Sequence, residues 1–183
     1  MQSTRRNTVT LVLGGVRSGK SRYAQQLAEP ADNVLFVATA EVRDDSEMRA
    51  KIERHQSERP RHWKTVEEPI QLARVLSEPY DESQVILVDC LTLFASNMLE
   101  RFGEHTAANH PEIEALCSVL ARARCSVILV SNEVGCGVIP AYALGRRFRD
   151  LVGELNQKVA SVADNVLFMT AGLPLVLKGK LQR

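Results

Sequence analysis

One short stretch near the start, Val9-Thr10-Leu11-Val12-Leu13-Gly14-Gly15-Val16-Arg17-Ser18-Gly19-Lys20-Ser21, constrains this chain more than any other. An apolar, β-branched run enters a glycine-rich turn and leaves it through Lys-Ser into an amphipathic segment. Gly14, Gly19, Lys20 and Ser21 satisfy G-x-x-x-x-G-K-[ST], the P-loop pattern, with the strand before and the helix after that the pattern requires. The glycines let the backbone of Gly14, Gly15, Val16, Arg17, Ser18 and Gly19 curl with its N–H groups inward, so that loop and helix start together attract phosphate oxygens. Lys20 is expected to reach the β and γ phosphates, and the Ser21 hydroxyl to complete the coordination of a Mg²⁺ ion. The ligand this predicts is a nucleoside triphosphate, ATP or GTP.

The rest of the composition narrows the class. A chain of 183 residues is long enough for one buried core and too short for two ordinary domains, so a single domain over 8–183 is expected, after a short disordered tail at 1–7. The formal net charge is +1 and the basic residues are scattered, which gives no electrostatic case for nucleic acid. A small substrate is expected instead. Cys90, Cys117, Cys125 and Cys136 form no C-x-x-C pair and no zinc spacing, and read as reduced thiols. Arg5 and Arg6 resemble the basic start of a signal peptide, but the apolar run after them ends at Leu13. No stretch approaches the roughly 20 apolar residues that span a bilayer, and the expected compartment is the cytoplasm.

Apolar runs of strand length recur at Val9 to Leu13, Val34 to Ala38, Val85 to Val88, Val127 to Val130 and Val166 to Met169. Continuous rather than alternating runs suit strands covered on both faces. Helical periodicity fills the gaps at about 20–28, 45–57, 69–77, 92–102, 111–123 and 141–163. The alternation predicts an α/β fold, a doubly wound, mostly parallel sheet, with Leu175-Val176-Leu177 adding a short C-terminal hairpin. Ligands bind such sheets at the carboxyl ends of the strands. Those ends are polar here: the P-loop, Thr39-Ala40-Glu41, Asp89-Cys90, Ser131-Asn132-Glu133 and Thr170-Ala171-Gly172.

Asp89, at the tip of an apolar strand, has the form of an acid facing the Mg²⁺ held by Ser21, although a helix cap is the plainer reading. His55 lies on one stripe with Met48 and Ile52 and is either a packed core residue or a catalytic one. Trp63, beside His62, is core or a lid over a flat ligand. Asn132 to Gly137 form a glycine-containing loop that admits close approach, and Arg146, Arg147 and Arg149 are either a solvated face or phosphate contacts.

Taken together, Gly14 to Arg22, Ala38-Thr39-Ala40, Met48 to Trp63, Val130 to Gly135 and Arg147-Phe148-Arg149-Asp150 resemble one family, the bifunctional adenosylcobinamide kinase and adenosylcobinamide-phosphate guanylyltransferase of cobalamin biosynthesis. The resemblance runs from about Thr10 to Lys178. It implies a P-loop at Gly14 through Ser21, nucleotide contacts at Ala38, Thr39, Ala40, Gln56, Ser57, Glu58, Arg59 and Glu67, and His55 as the guanylylated nucleophile, with His62 as runner-up. It also implies ATP or GTP and Mg²⁺ as cofactors, adenosylcobinamide and its phosphate as substrates, and a trimer. The strand-end acid is Asp89 where other members carry Glu. A monofunctional P-loop kinase would share Lys20, Ser21 and Asp89 without needing the histidine. A regulatory GTPase would carry N-K-x-D, which Asn132-Glu133-Val134-Gly135 is not.

Overall fold

The computed structural model describes residues 7–41, 60, 62–78, 84–103 and 106–180. Its elements run β1 (Val9–Gly14), α1 (Lys20–Ala28), β2 (Val34–Ala38), β3 (Lys64–Glu67), α2 (Leu72–Ser77), β4 (Val85–Asp89), α3 (Leu91–Phe102), α4 (Pro111–Leu120), β5 (Ser126–Asn132), α5 (Ala143–Val162), β6 (Asn165–Thr170) and β7 (Leu173–Lys178). The expected helix at 45–57 lies outside the described residues.

The strands make one seven-stranded sheet in the order β3-β2-β4-β5-β1-β6-β7. All pairings are parallel except β6 with β7, the predicted hairpin. β1 is buried along its whole length, which is what a central parallel strand demands of the run Val9 to Leu13. The sheet divides the core in two. On one face α2 to α5 supply Leu72, Phe94, Met98, Ile113, Leu116 and Leu155, packed on Leu11, Leu35, Ile86 and Leu129. On the other, Ala24 and Ala28 of α1 and the indole of Trp63 pack on Val12, Phe36, Leu87 and Val130. Trp63 is thus a core residue, not a lid.

β3 and the start of α2 differ from expectation for physical reasons. β3 has no apolar run, since it is an outer strand with only Val66 partly buried, and its pairing to β2 comes from backbone bonds that sequence periodicity does not report. α2 starts at Leu72 rather than 69, because Glu68 turns back on the chain: its Oε1 accepts from the N–H of Ile70 at 3.0 Å and of Gln71 at 2.8 Å. Its Oε2 also pairs with Arg74 at 3.0 Å. Asn7, read as part of the tail, is described and its side-chain amide donates to the Arg124 carbonyl. Among the described residues no helix is long and apolar enough to cross a membrane.

Burial alone would raise the Glu68 carboxyl, but the two backbone donors and Arg74 outweigh it and hold the pKa below its ordinary 4.5. A carboxyl depressed on folding stabilises fully above its unfolded value and loses that contribution as pH falls through the folded value. Glu68→Gln should therefore lower the melting temperature at pH 7, and its deficit against the wild type should shrink below pH 4.5, as melts across that range would show.

Candidate active site

The loop between β1 and α1 is built on three residues with positive φ: Gly14 at 150°, Arg17 at 57° and Gly19 at 96°. A Cβ on Gly14 would lie 2.5 Å from the Met169 carbonyl oxygen and 2.7 Å from Ser18 Oγ, so glycine alone fits. The Gly172 N–H donates to the Ser18 carbonyl at 3.0 Å, so the β6–β7 turn braces the loop from the far end of the chain. α1 has Gly19 at its N-cap and no side-chain cap. Its first-turn N–H groups thus have no intrahelical acceptor, at the positive end of the helix dipole. Ser18 Oγ is buried with no hydrogen-bond partner among the described residues. Such a cradle suits an anion with several oxygens.

Lys20 opens α1 and is buried, with its Nζ donating to the Gly15 carbonyl at 2.6 Å. Burial lowers its pKa from the ordinary 10.5, while the neighbouring Cys90 and Asp89 pull it back up. Asp89 acts on this ammonium through its charge from the tip of β4, with β5 lying between β4 and β1. Val85 and Leu87 pack on the α1 side of the sheet and Ile86 and Val88 on the other, so the pleat turns Asp89 to the side where Lys20 stands. Burial, reinforced by Asp89, pushes the Cys90 thiol up to about 11. It is therefore a thiol rather than a nucleophilic thiolate near neutrality.

The tip of β4 is held by polar groups that sequence alone did not assign. The fully buried Thr39 donates from Oγ1 to the Cys90 carbonyl at 2.7 Å and accepts there from the Cys90 N–H at 2.7 Å. Asn97, on α3, donates to the Thr39 carbonyl at 2.8 Å and the Pro69 carbonyl at 3.2 Å. Thr39, expected as a nucleotide contact, thus has its hydroxyl committed to Cys90; what it positions is the strand end that carries Asp89. Thr92 and Asn156 play the same part for β5: Thr92 Oγ1 accepts from the Asn132 N–H at 2.7 Å, and Asn156 Nδ2 donates to the Asn132 carbonyl at 3.0 Å.

The remaining expected residues spread along the same sheet edge. Ala38 pairs with Asp89 on one side and with Glu67 on the other, and Ala40 follows it half-buried. Glu67 is exposed on the outermost strand, four strand spacings or about 19 Å from β1. His62 is exposed before β3. Gly15, Val16 and Ser21 lie within the loop and the first turn of α1. Of the three arginines, Arg146 donates to the Pro140 and Ala141 carbonyls at 3.0 and 2.8 Å and so fastens the loop before α5. His55, Gln56, Ser57, Glu58 and Arg59 lie outside the described residues.

Among the described residues there is no group of three or more His, Cys, Asp or Glu side chains suited to a metal. Mg²⁺ takes one or two protein oxygens and leaves its other positions to phosphates and water. Ser21 and Asp89 offer such a pair of hard oxygens beside the loop.

Residues 10–177 match the CobU family, described as cobinamide kinase / cobinamide phosphate guanyltransferase. The chain belongs to this family. It is 44% identical over 171 residues to the bifunctional adenosylcobalamin biosynthesis protein CobP of Pseudomonas aeruginosa, covering 93% of this chain and 97% of that one. It is 37% identical over 179 residues to the bifunctional adenosylcobalamin biosynthesis proteins CobU of Escherichia coli and of Salmonella typhimurium, covering 92% of this chain and 98% of each. The CobU family match runs from β1 into β7, so it takes in the P-loop, Asp89 and the bracing hairpin together.

Thr39→Val keeps the shape of the clamp and removes its hydroxyl, taking the acceptor from the Cys90 N–H and leaving the Cys90 carbonyl to the Phe94 N–H alone. We expect a stability loss of about 1–3 kcal/mol by chemical denaturation and a matching fall in turnover as Asp89 loses its support, with Thr39→Ser restoring most of both.

Proposed function

We propose that this chain carries out both reactions of its family on adenosylcobinamide. The observation that carries the reading is the placing of Lys20 and Asp89 on one side of the sheet, beside a loop that admits only glycine at its first turn. In the kinase step the loop and Lys20 hold the β and γ phosphates of ATP or GTP, and the terminal hydroxyl of the aminopropanol arm attacks the γ phosphorus in line. The O–P bond to the acceptor forms as the bond to the nucleoside diphosphate breaks. Ser21 and Asp89 would hold Mg²⁺, which when bound neutralises charge developing on the phosphate oxygens.

In the transferase step the nucleophile is His55. A neutral imidazole nitrogen attacks the α phosphorus of GTP, the N–P bond forms and pyrophosphate leaves. A phosphate oxygen of adenosylcobinamide phosphate then attacks the same phosphorus, the N–P bond breaks, and adenosylcobinamide-GDP departs with histidine restored. Ala38, Ala40, Gln56, Ser57, Glu58, Arg59 and Glu67 complete the nucleotide contacts in this reading. The working form is a cytoplasmic homo-oligomer, a trimer by family resemblance, and the exposed Leu173, Leu175 and Leu177 of β7 are consistent with a face that copies would cover.

Two variants test the reading. Lys20→Ala should abolish both activities, because one phosphate grip serves both. His55→Asn should eliminate acid-labile label from α-labelled GTP and stop guanylyl transfer, while phosphorylation of adenosylcobinamide survives in part. Both rates beside a thermal melt decide the matter: a His55→Asn protein that melts normally and still forms the adduct moves the role to His62, and loss of both rates with a lowered melt makes His55 a packing residue.

A further inference from the structure

The strand between the P-loop strand and the acid-bearing strand ends in a side chain with no assigned task. Asn132 closes β5, and β5 lies between β1 and β4. Its Cα is in register with Gly14, while Val130 is in register with Asp89. Val127 and Leu129 pack on the far face of the sheet and Ile128 and Val130 on the α1 face, so alternation carries the Asn132 side chain to the face of Lys20 and Asp89. It therefore stands beside the first glycine of the loop and one step diagonally beyond the acid.

Its backbone is fixed unusually well for a strand end. The N–H is held by Thr92 Oγ1 at 2.7 Å, the carbonyl by Asn156 Nδ2 at 3.0 Å, and the next N–H, of Glu133, donates to the Gly14 carbonyl at 3.0 Å. Thr92 and Asn156 are both buried, so these ties are shielded from water. The half-buried carboxamide at the centre of this arrangement makes no hydrogen bond among the described residues. A residue whose own fold does not use its side chain, yet whose main chain is tied on both sides, has the form of a preorganised ligand contact.

We propose that the Asn132 carboxamide binds the terminal phosphoryl group of the nucleotide. Nδ2 donates to a non-bridging γ oxygen, and Oδ1 accepts from the O–H of the attacking acceptor, so that one group holds the attacking oxygen against the phosphoryl group it enters. The loop and Lys20 already serve the inner phosphates, and a neutral amide next to Gly14 adds a donor at the end of the chain without adding charge that a diphosphate would share. This rests on the kinase reading above for the acceptor, but not for the phosphate contact.

The test compares affinity for a non-hydrolysable triphosphate analogue and for the diphosphate, with Mg²⁺, in wild type, Asn132→Ala and Asn132→Asp. We expect the alanine variant to bind the analogue about 10- to 100-fold more weakly, the loss of one hydrogen bond to a charged group, with diphosphate affinity and the thermal melt unchanged. The aspartate variant, isosteric but repelling a phosphate oxygen, should lose more. Equal affinity of wild type and both variants for the analogue overturns the proposal, and so does an equal loss for analogue and diphosphate, which would make Asn132 a general support of the loop. If wild type fails to phosphorylate adenosylcobinamide while Asn132→Ala still loses the analogue selectively, the kinase reading falls and the phosphate contact stands.

Discussion

Everything at the catalytic edge depends on one close approach, that of the Gly14 backbone to the Met169 carbonyl on the neighbouring strand. A methyl group there would stand 2.5 Å from that oxygen, well inside van der Waals contact. Because β1 is flanked by parallel strands on both sides and buried along its length, it has no freedom to move aside. The chain must leave the sheet at that point and in that direction. The curl of the loop, the start of α1 and the burial of Lys20 follow from that exit, so the phosphate grip is a product of strand packing as much as of its own sequence.

A second layer of order comes from short polar side chains buried just behind the edge. Thr39, Thr92, Asn97 and Asn156 are all nearly inaccessible and all bond to main-chain groups at strand ends. Strand ends are where parallel ladders run out of partners, and an unmet buried N–H or carbonyl is costly. Thr39 after β2 and side chains from the flanking helices answer that need and in doing so tie the ends of β2, β4 and β5 together. Asp89 and Asn132 stand on the strand ends that this scaffold holds.

Much of this was legible before any coordinates. The five apolar runs, the P-loop and the hairpin announce themselves because buried parallel strands need unbroken Val, Leu and Ile, and α1 runs over the predicted 20–28. Asp89 was readable as a carboxylate closing such a run. β3 was not, since Lys64-Thr65-Val66-Glu67 has the polarity of an outer strand and only its partner reveals it. Thr39 shows the opposite limit: its place at a strand end was plain, but whether its hydroxyl faced ligand or protein was decided by Cys90, 51 residues on in sequence. Asn132 belonged to a visibly polar strand end, yet nothing in its neighbours separated it from Ser131 or Glu133. Strand order does, by setting β5 between the loop and the acid.

The bond from the Gly172 N–H to the Ser18 carbonyl carries a consequence for how the molecule is made. The phosphate loop leaves the ribosome before the turn that braces it. Between them β2 to β6 must be synthesised and threaded into place, and β1 cannot be enclosed until β5 and β6 arrive on its two sides. Such long-range closure is slow relative to local helix formation. A nascent chain thus holds its nucleotide-binding sequence before it has the nucleotide-binding shape, which waits for β6 and the turn after it, so chains lacking those segments are poor competitors for nucleotide.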